Sequence, residues 1–268
     1  MEPAERRGAV GVFQSYDEQI LEAVATEHNT VAVVSAGKRI NMDVEGATFA
    51  TWHPWLRMTG YSWDALSAAC LLRHEGPPRT VLLLGLAGGT VARQLRCLVP
   101  EAAITGVDID GAVVDLARRH MGLDELGIEV VIADADRFLT ATDRRFDAIL
   151  DDLFLSGPLD VARQLLPVGE RLARLQERLT PGGVIAANLI TDGVGLHQTV
   201  RRRVRRAFAE AFPCVRVVRP LCGLNEIVTG AAEVRTGRAL LPFAERLAES
   251  HDRFLFKGIR VHRLRPRH

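Results

Sequence analysis

Apolar and polar positions change their rhythm once along this chain. From about residue 79 onward, short runs rich in Leu, Val and Ile alternate with stretches whose apolar residues recur at helical spacing. The runs at 81–85, 103–107, 128–132, 146–151, 184–190, 214–219 and 225–229 read as strands. The stretches at 90–98, 111–120, 163–179 and 195–211 read as helices, with a shorter helix near 136–142. Such alternation predicts an α/β fold, a doubly wound and mainly parallel sheet of seven strands with helices on both faces. Ahead of it the pattern is different. Residues 1–11 are polar and read as loose, 16–26 fits a short helix or an edge strand, and 30–35, 39–43 and 48–52 read as a small antiparallel β-unit. A helix at 61–72 follows, and Gly76-Pro77-Pro78 marks a boundary. The expected division is therefore an N-terminal β-unit with its linking helix over 1–76 and the α/β domain over 77–268.

Composition narrows the class without naming a function. The chain has 268 residues, 47% of them hydrophobic, and a net charge of +1. Nothing in that balance points to nucleic acid or an anionic membrane. The basic cluster Arg201-Arg202-Arg203 with Arg205-Arg206 is threaded by Val200, Val204, Ala207 and Phe208 at helical spacing, which is the pattern of a solvated helix face. Cys70, Cys97, Cys214 and Cys222 form no C-x-x-C pair, and no His stands at zinc-ligand spacing from a cysteine pair, so no metal site is expected. No apolar leader and no membrane-length window is present, and a cytoplasmic setting is expected.

The candidate chemistry gathers at the ends of the expected strands, where open α/β sheets bind ligands. The stretch TVLLLGLAGGT at 80–90 is a strand running into a glycine turn and then a helix. Asp108 follows at the end of the next strand, where a carboxylate can accept hydrogen bonds from ribose hydroxyls. Ala87 breaks the dinucleotide pattern G-x-G-x-x-G, and no P-loop is present. A shorter turn with a ribose acid suits an adenosine without pyrophosphate, such as S-adenosylmethionine or its decarboxylated form. The third strand delivers Asp134 and Asp136, the fourth Asp151 and Asp152. Asp110 and Asp136 read as helix caps, while Asp143 and Asp147 belong to a turn and a strand start. Alternation sets Asp151 and Asp152 on opposite sides of their strand end. Asp108, Asp134 and Asp152 are the functional candidates.

Taken together, GLAGG at 85–89, VDID at 107–110, DADRFL at 134–139, RFDAILDD at 145–152 and LTPGGVIAANL at 179–189 resemble the spermidine synthase-like, or polyamine aminopropyltransferase-like, family. The resemblance implies the class I S-adenosylmethionine-dependent methyltransferase sheet. It also implies that Gly85, Ala87, Gly88 and Gly89 line the methionine-like part of the donor. Asp108 with Ile109 would hold the ribose, and Asp134 with Ala135 would face the adenine edge. Asp152 would be the catalytic aspartate, with Tyr61, Leu153 and Phe154 in the acceptor pocket. Family members associate through their N-terminal strands, which implies a homo-oligomer, most simply a dimer.

Three departures change the expected acceptor. Gly88 stands where the family's GGGDGG has its aspartate, Tyr61-Ser62-Trp63 replaces Tyr-His-Glu, and Asp152-Leu153-Phe154-Leu155-Ser156 lacks the second acid of the DSSDP-type loop. A polycation needs several carboxylates to replace its water, so a less cationic and more apolar small molecule is expected. The sequence reading therefore puts methyl transfer to a small-molecule acceptor, possibly an amine, first. Aminopropyl transfer is the alternative, and a non-catalytic nucleoside-binding protein the second alternative.

Overall fold

A computed structural model of the chain describes residues 18–44, 46–156, 161–162, 168–191 and 195–264. The expectations for 1–11 and for the start of the helix at 163–167 lie outside the described residues.

The N-terminal unit is a four-stranded antiparallel meander, β1 Glu18–Ala25, β2 Thr30–Ala36, β3 Arg39–Val44 and β4 Ala47–Trp52, paired in chain order. Residues 18–25 are thus an edge strand and not a helix. The linking helix α1, Ser62–Cys70, follows. The large sheet then begins with β5 Thr80–Leu84, α2 Thr90–Leu98, β6 Ala103–Asp108, α3 Gly111–Met121, β7 Glu129–Ile132, α4 Ala135–Ala141 and β8 Phe146–Asp151. Two-residue strands β9 Leu155–Ser156 and β10 Val161–Ala162 pair with each other. The chain continues through α5 Val168–Glu177, β11 Leu179–Ile190, α6 Gly195–Ala211, β12 Cys214–Arg219 and β13 Asn225–Ala231. Short helices α7 Leu241–Ala244 and α8 Ser250–Lys257 precede β14 Arg260–Arg263.

The large sheet has eight strands in the order β14-β12-β13-β11-β8-β5-β6-β7, one more than expected. The additional strand, β14, is an edge strand of sequence Arg-Val-His-Arg. With a single apolar residue, it has no hydrophobic run to read. Strands β11, β8, β5, β6 and β7 run parallel, while β13, β12 and β14 pair antiparallel. The turn expected at Thr180–Gly183 is an irregularity inside β11, where its register against β8 shifts between Leu179 and Val184.

Period-two alternation sorts each strand between two cores. Val81, Leu83, Ala148 and Leu150 pack in the layer that contains residues of α1, α2 and α3. Leu82, Leu84, Ile149 and Ile185 pack in the layer of α4, α5 and α6. The chain leaves β5 towards β6 and β7, then returns past β5 to build β8 and β11 on its other side. That reversal opens a crevice at the carboxyl ends of β5 and β8.

Hydrogen bonds at Thr26 and Thr51 help seat the small sheet over this crevice, beside the pairing of Glu22 in β1 with Arg119 and His120 of α3. Thr26 Oγ1 donates to Asp110 Oδ2 at 2.5 Å. The Thr51 amide donates to Thr90 Oγ1 at 2.9 Å, and that hydroxyl returns a bond to the Thr51 carbonyl at 3.0 Å.

Candidate active site

The crevice is a cavity of about 730 Å³ between the strand ends and the small sheet. Its floor begins with the glycine turn. Gly85 has φ 87°, and a Cβ placed there would lie 2.6 Å from the Asp152 carbonyl oxygen. Only glycine lets β5 leave the sheet this close to the end of β8. Ala87 holds φ 43°, a left-handed conformation uncommon outside glycine. Part of what holds it is Asp108. Asp108 Oδ2 accepts from the amides of Leu86 at 3.0 Å and Ala87 at 2.8 Å, and Oδ1 accepts from the Asp110 amide at 3.0 Å. Burial raises the Asp108 carboxyl above the usual range, opposed by these amide bonds, that from Ala87 foremost.

This arrangement refines the role expected of Asp108. A carboxylate offers about four acceptor positions; two are engaged by the turn and a third by the Asp110 amide. One remains for a ribose hydroxyl, not two. The sequence reading treats Asp108 as a ligand only; the structure makes it the clamp of the turn as well.

The other strand-end acids separate by face. Asp134 is the N-cap of α4, its Oδ1 accepting from the Arg137 amide at 2.9 Å. This corrects the expectation that Asp136 is the cap. Asp136 lies inside the first turn and pairs with Arg171 at 2.7 Å. Arg171 also lies 3.4 Å from Asp151, which is buried on the α5 side. Asp110 caps α3 as expected, accepting from Ala112 and Val113. Asp108, Asp110, Asp134 and Asp152 line the cavity, and Asp151 and Asp136 do not.

Asp152 is positioned by a relay of amides. Asn188 Nδ2 donates to Asp152 Oδ1 at 2.7 Å, and Asn225 Nδ2 donates to Asn188 Oδ1 at 3.1 Å. Sequence reasoning missed both asparagines. A signal was present, because Asn188 is a polar residue inside the apolar strand VIAANL, and a buried amide needs partners. Tyr61, Ile109, Ala135, Leu153 and Phe154 line the same cavity as Gly85 and Ala87. Gly88 and Gly89 do not. Gly89 is the left-handed N-cap of α2. A Cβ at Gly88 would lie 2.6 Å from the Ala50 Cβ, pressed also against the Met121 sulfur. A side chain at 88 would therefore meet the seam between the small sheet and α3, not the cavity.

The wall that carries Tyr61 is held by two buried carboxylates. Asp252 accepts from the amides of Arg57 and Met58 at 2.8 and 3.0 Å. Asp64 accepts from those of Thr59 and Gly60 at 2.9 and 2.7 Å, and from Gln94 Nε2 at 2.8 Å. Every amide from 57 to 60 thus ends on a carboxylate. Burial pushes the Asp64 carboxyl from 3.8 up to about 6, against the hydrogen bonds from Thr59 and Gly60. Between those values the folded state binds the additional proton. The stability contributed by Asp64 therefore falls as pH rises from 3.8 to about 6, and is flat above that. Carboxyl-carbon NMR of the whole chain should show Asp64 titrating near pH 6; a midpoint at the ordinary aspartate value would contradict this burial.

With the geometry in place, the chain can be set beside known proteins. A spermine/spermidine synthase domain matches residues 64–223. This chain belongs to the spermine/spermidine synthase family. It is 33% identical over 142 residues to a probable polyamine aminopropyl transferase of Bifidobacterium longum, covering 52% of this chain and 30% of that protein. It is 34% identical over 153 residues to a polyamine aminopropyltransferase of a Synechococcus species, covering 53% and 48%. The chain thus spans half or less of the length of these two curated relatives. A probable spermidine synthase from Corynebacterium glutamicum has the same fold, with a TM-score of 0.68 at 14% identity over 91% of both chains. The family match contains the glycine turn, Asp108, Asp134, Asp152 and Asn188, and leaves out the small sheet. It also reverses the order of the two expected reactions. Relatives of this family named for polyamine aminopropyl transfer favour that alternative over methyl transfer.

Proposed function

We propose that this chain is a spermidine synthase-type transferase that moves an aminopropyl group from decarboxylated S-adenosylmethionine to an amine. One observation carries the proposal: the glycine turn and the Asp152–Asn188–Asn225 relay open onto one cavity, with Gly85 and Asp152 in backbone contact. The remaining acceptor position of Asp108 holds a ribose hydroxyl, and Asp134 with Ala135 borders the base. Asp152 accepts a proton from the acceptor ammonium, or holds its free amine, so that the nitrogen lone pair faces the carbon beside the sulfonium. The new C–N bond forms as the C–S bond breaks, and the electron pair leaves with the neutral thioether sulfur. The protein's part is alignment of the two reactants and placement of one base. We further propose that the chain acts as a homodimer, the family's N-terminal strands supplying the contact.

Methyl transfer is the second reading, favoured by the apolar Leu153 and Phe154 that line the cavity beside Asp152 and suit a less cationic acceptor.

Calorimetry separates donor binding from turnover. The chain should bind decarboxylated S-adenosylmethionine saturably. Asp108→Ala should lose about 1.5–3 kcal/mol of that binding, the range for a hydrogen bond to a charged group. It should also lower the melting temperature, because two turn amides and the Asp110 amide lose their acceptor. Unchanged affinity in the folded variant would remove Asp108 from the donor site.

A further inference from the structure

The two sides of the cavity carry opposite charge. The strand-end side presents Asp108, Asp110, Asp134 and Asp152. The side formed by the small sheet and the 53–57 segment presents Arg39, His53 and Arg57, with His251 from α8 beside them. Strand register explains the first two. In the β3–β4 pairing Asn41 faces Thr51 and Ile40 faces Trp52. Carried one residue further, the register sets Arg39 opposite His53, on the face that Asn41 and Thr51 share.

Arg39 and Arg57 make no salt bridge, and the acid that faces His53, Arg57 and His251 is Asp252. Among the described residues, none of Arg39, His53, Arg57 and His251 is in a salt bridge or has an unnamed partner. Arg57 spends its guanidinium on the carbonyls of His53, Pro54 and Leu56. That fixes the positive charge against the cavity. Both oxygens of the Asp252 carboxylate accept backbone amides, from Arg57 and Met58. His53 Nδ1 accepts from the Leu56 amide at 3.2 Å. Arg39 is exposed and makes no hydrogen bond to a described residue. Lys38, stacked 4.3 Å over Trp55, adds a further charge near His53. Desolvation, then Arg39, Arg57 and Lys38, oppose protonation of His53 against the contrary pull of Asp252, so His53 contributes a neutral hydrogen-bonding ring and the positive charge is that of the arginines.

A free polyamine placed there would meet the Arg39 and Arg57 charges, with the one facing acid, Asp252, already engaged by backbone amides. A reactant with a carboxylate would meet donors already held in place. We propose that Arg39, His53, Arg57 and His251 form a subsite for a carboxylate carried by one of the two reactants. Resting on the aminopropyl-transfer reading, that reactant is the acceptor, an amine that also bears an acid. The cavity is then bipolar in the same sense as its ligand, with the amine towards Asp152 and the carboxylate towards Arg39.

The test uses pairs of ligands that differ by one carboxylate. Ornithine is putrescine with a carboxylate, and S-adenosylmethionine differs from its decarboxylated form in the same way. Binding of each is measured by calorimetry on the full chain, the amines in the presence of 5′-methylthioadenosine. Ornithine should bind about tenfold more tightly than putrescine, the size of one charge-assisted contact. Arg39→Gln, at an exposed side chain with no described hydrogen bond, should remove that preference and leave putrescine binding unchanged. Arg39→Glu should invert it. If the carboxylate-dependent gain, and its loss in Arg39→Gln, appears for the donor pair and not for the amines, the subsite stands and its carboxylate is the donor's. No gain for either carboxylate-bearing ligand, or a gain indifferent to Arg39→Gln and Arg39→Glu, overturns the proposal. Because the readout is binding, absence of aminopropyl turnover would defeat the proposed reaction while leaving this subsite to be judged on its own.

Discussion

Asp152→Asn should reduce turnover with an amine acceptor by about 10²-fold or more, the usual size of a general-base contribution. The substitution keeps the shape and removes the charge. Asp152 lies at the cavity end of β8, and its Oδ1 accepts from Asn188 at 2.7 Å. An amide at 152 can still accept from Asn188 through its oxygen, so the local fold should persist. Donor affinity should stay within about twofold, because the proposed ribose contact belongs to Asp108 at the end of β6, with β5 between it and β8. A role limited to capping the loop would show the opposite profile: lower melting temperature with near-normal turnover. That outcome would take Asp152 out of the mechanism. The pH profile gives a second readout. A rising limb in kcat that is present in the parent chain should be absent from the Asn variant if the carboxylate is the base.

Gly85→Ala should be among the most destabilising single substitutions in the α/β sheet. At φ 87° an L-residue is strained, and the new methyl would sit 2.6 Å from the Asp152 carbonyl oxygen, which is backbone and cannot swing aside. Strain and overpacking together should cost about 3 kcal/mol. For a chain of this size that lowers the melting temperature by roughly 6–12 °C. The variant that still folds should bind donor poorly, since either the turn or the end of β8 has to move. Gly76→Ala is the control. It has φ 95° and nothing within 4 Å of the added Cβ, so it carries the strain without the clash. Equal melting temperatures for the two variants would show that the close approach of β5 and β8 is not what Gly85 provides.

What could be read before the structure follows from where each signal resides. The parallel sheet was legible because its strands are buried on both faces and therefore read as continuous apolar runs, as in VLLL at 81–84 and AIL at 148–150. β14 was not, because an edge strand with one apolar residue carries no such run. Alternation put Asp151 and Asp152 on opposite sides and the family resemblance selected Asp152; the structure sets Asp151 against Arg171 on the opposite layer. The capping roles of Asp134 and Asp136 were exchanged. Either could start a helix by residue type, and only the backbone at Asp134, extended with ψ 131°, decides between them. Asn188 and Asn225 were overlooked because an amide becomes a positioning group only through its neighbour, and that neighbour is a different strand. The outward meaning given to Gly88 came from a motif comparison. The direction of its absent Cβ, towards Ala50 and Met121, depends on how the small sheet docks on α3, which no local pattern encodes. The side chains of Arg39 and His53 share this property, since they meet only through the β3–β4 register.

The central claim is aminopropyl transfer at this cavity, and the released nucleoside reports on it most directly. The full chain is incubated with decarboxylated S-adenosylmethionine and a set of amines, including ornithine and putrescine, and in parallel with S-adenosylmethionine, and the products are identified by mass spectrometry. The account predicts 5′-methylthioadenosine together with an amine heavier by one aminopropyl group, both formed far more slowly by Asp152→Asn. S-adenosylhomocysteine and a methylated acceptor, with no methylthioadenosine from the decarboxylated donor, would contradict it.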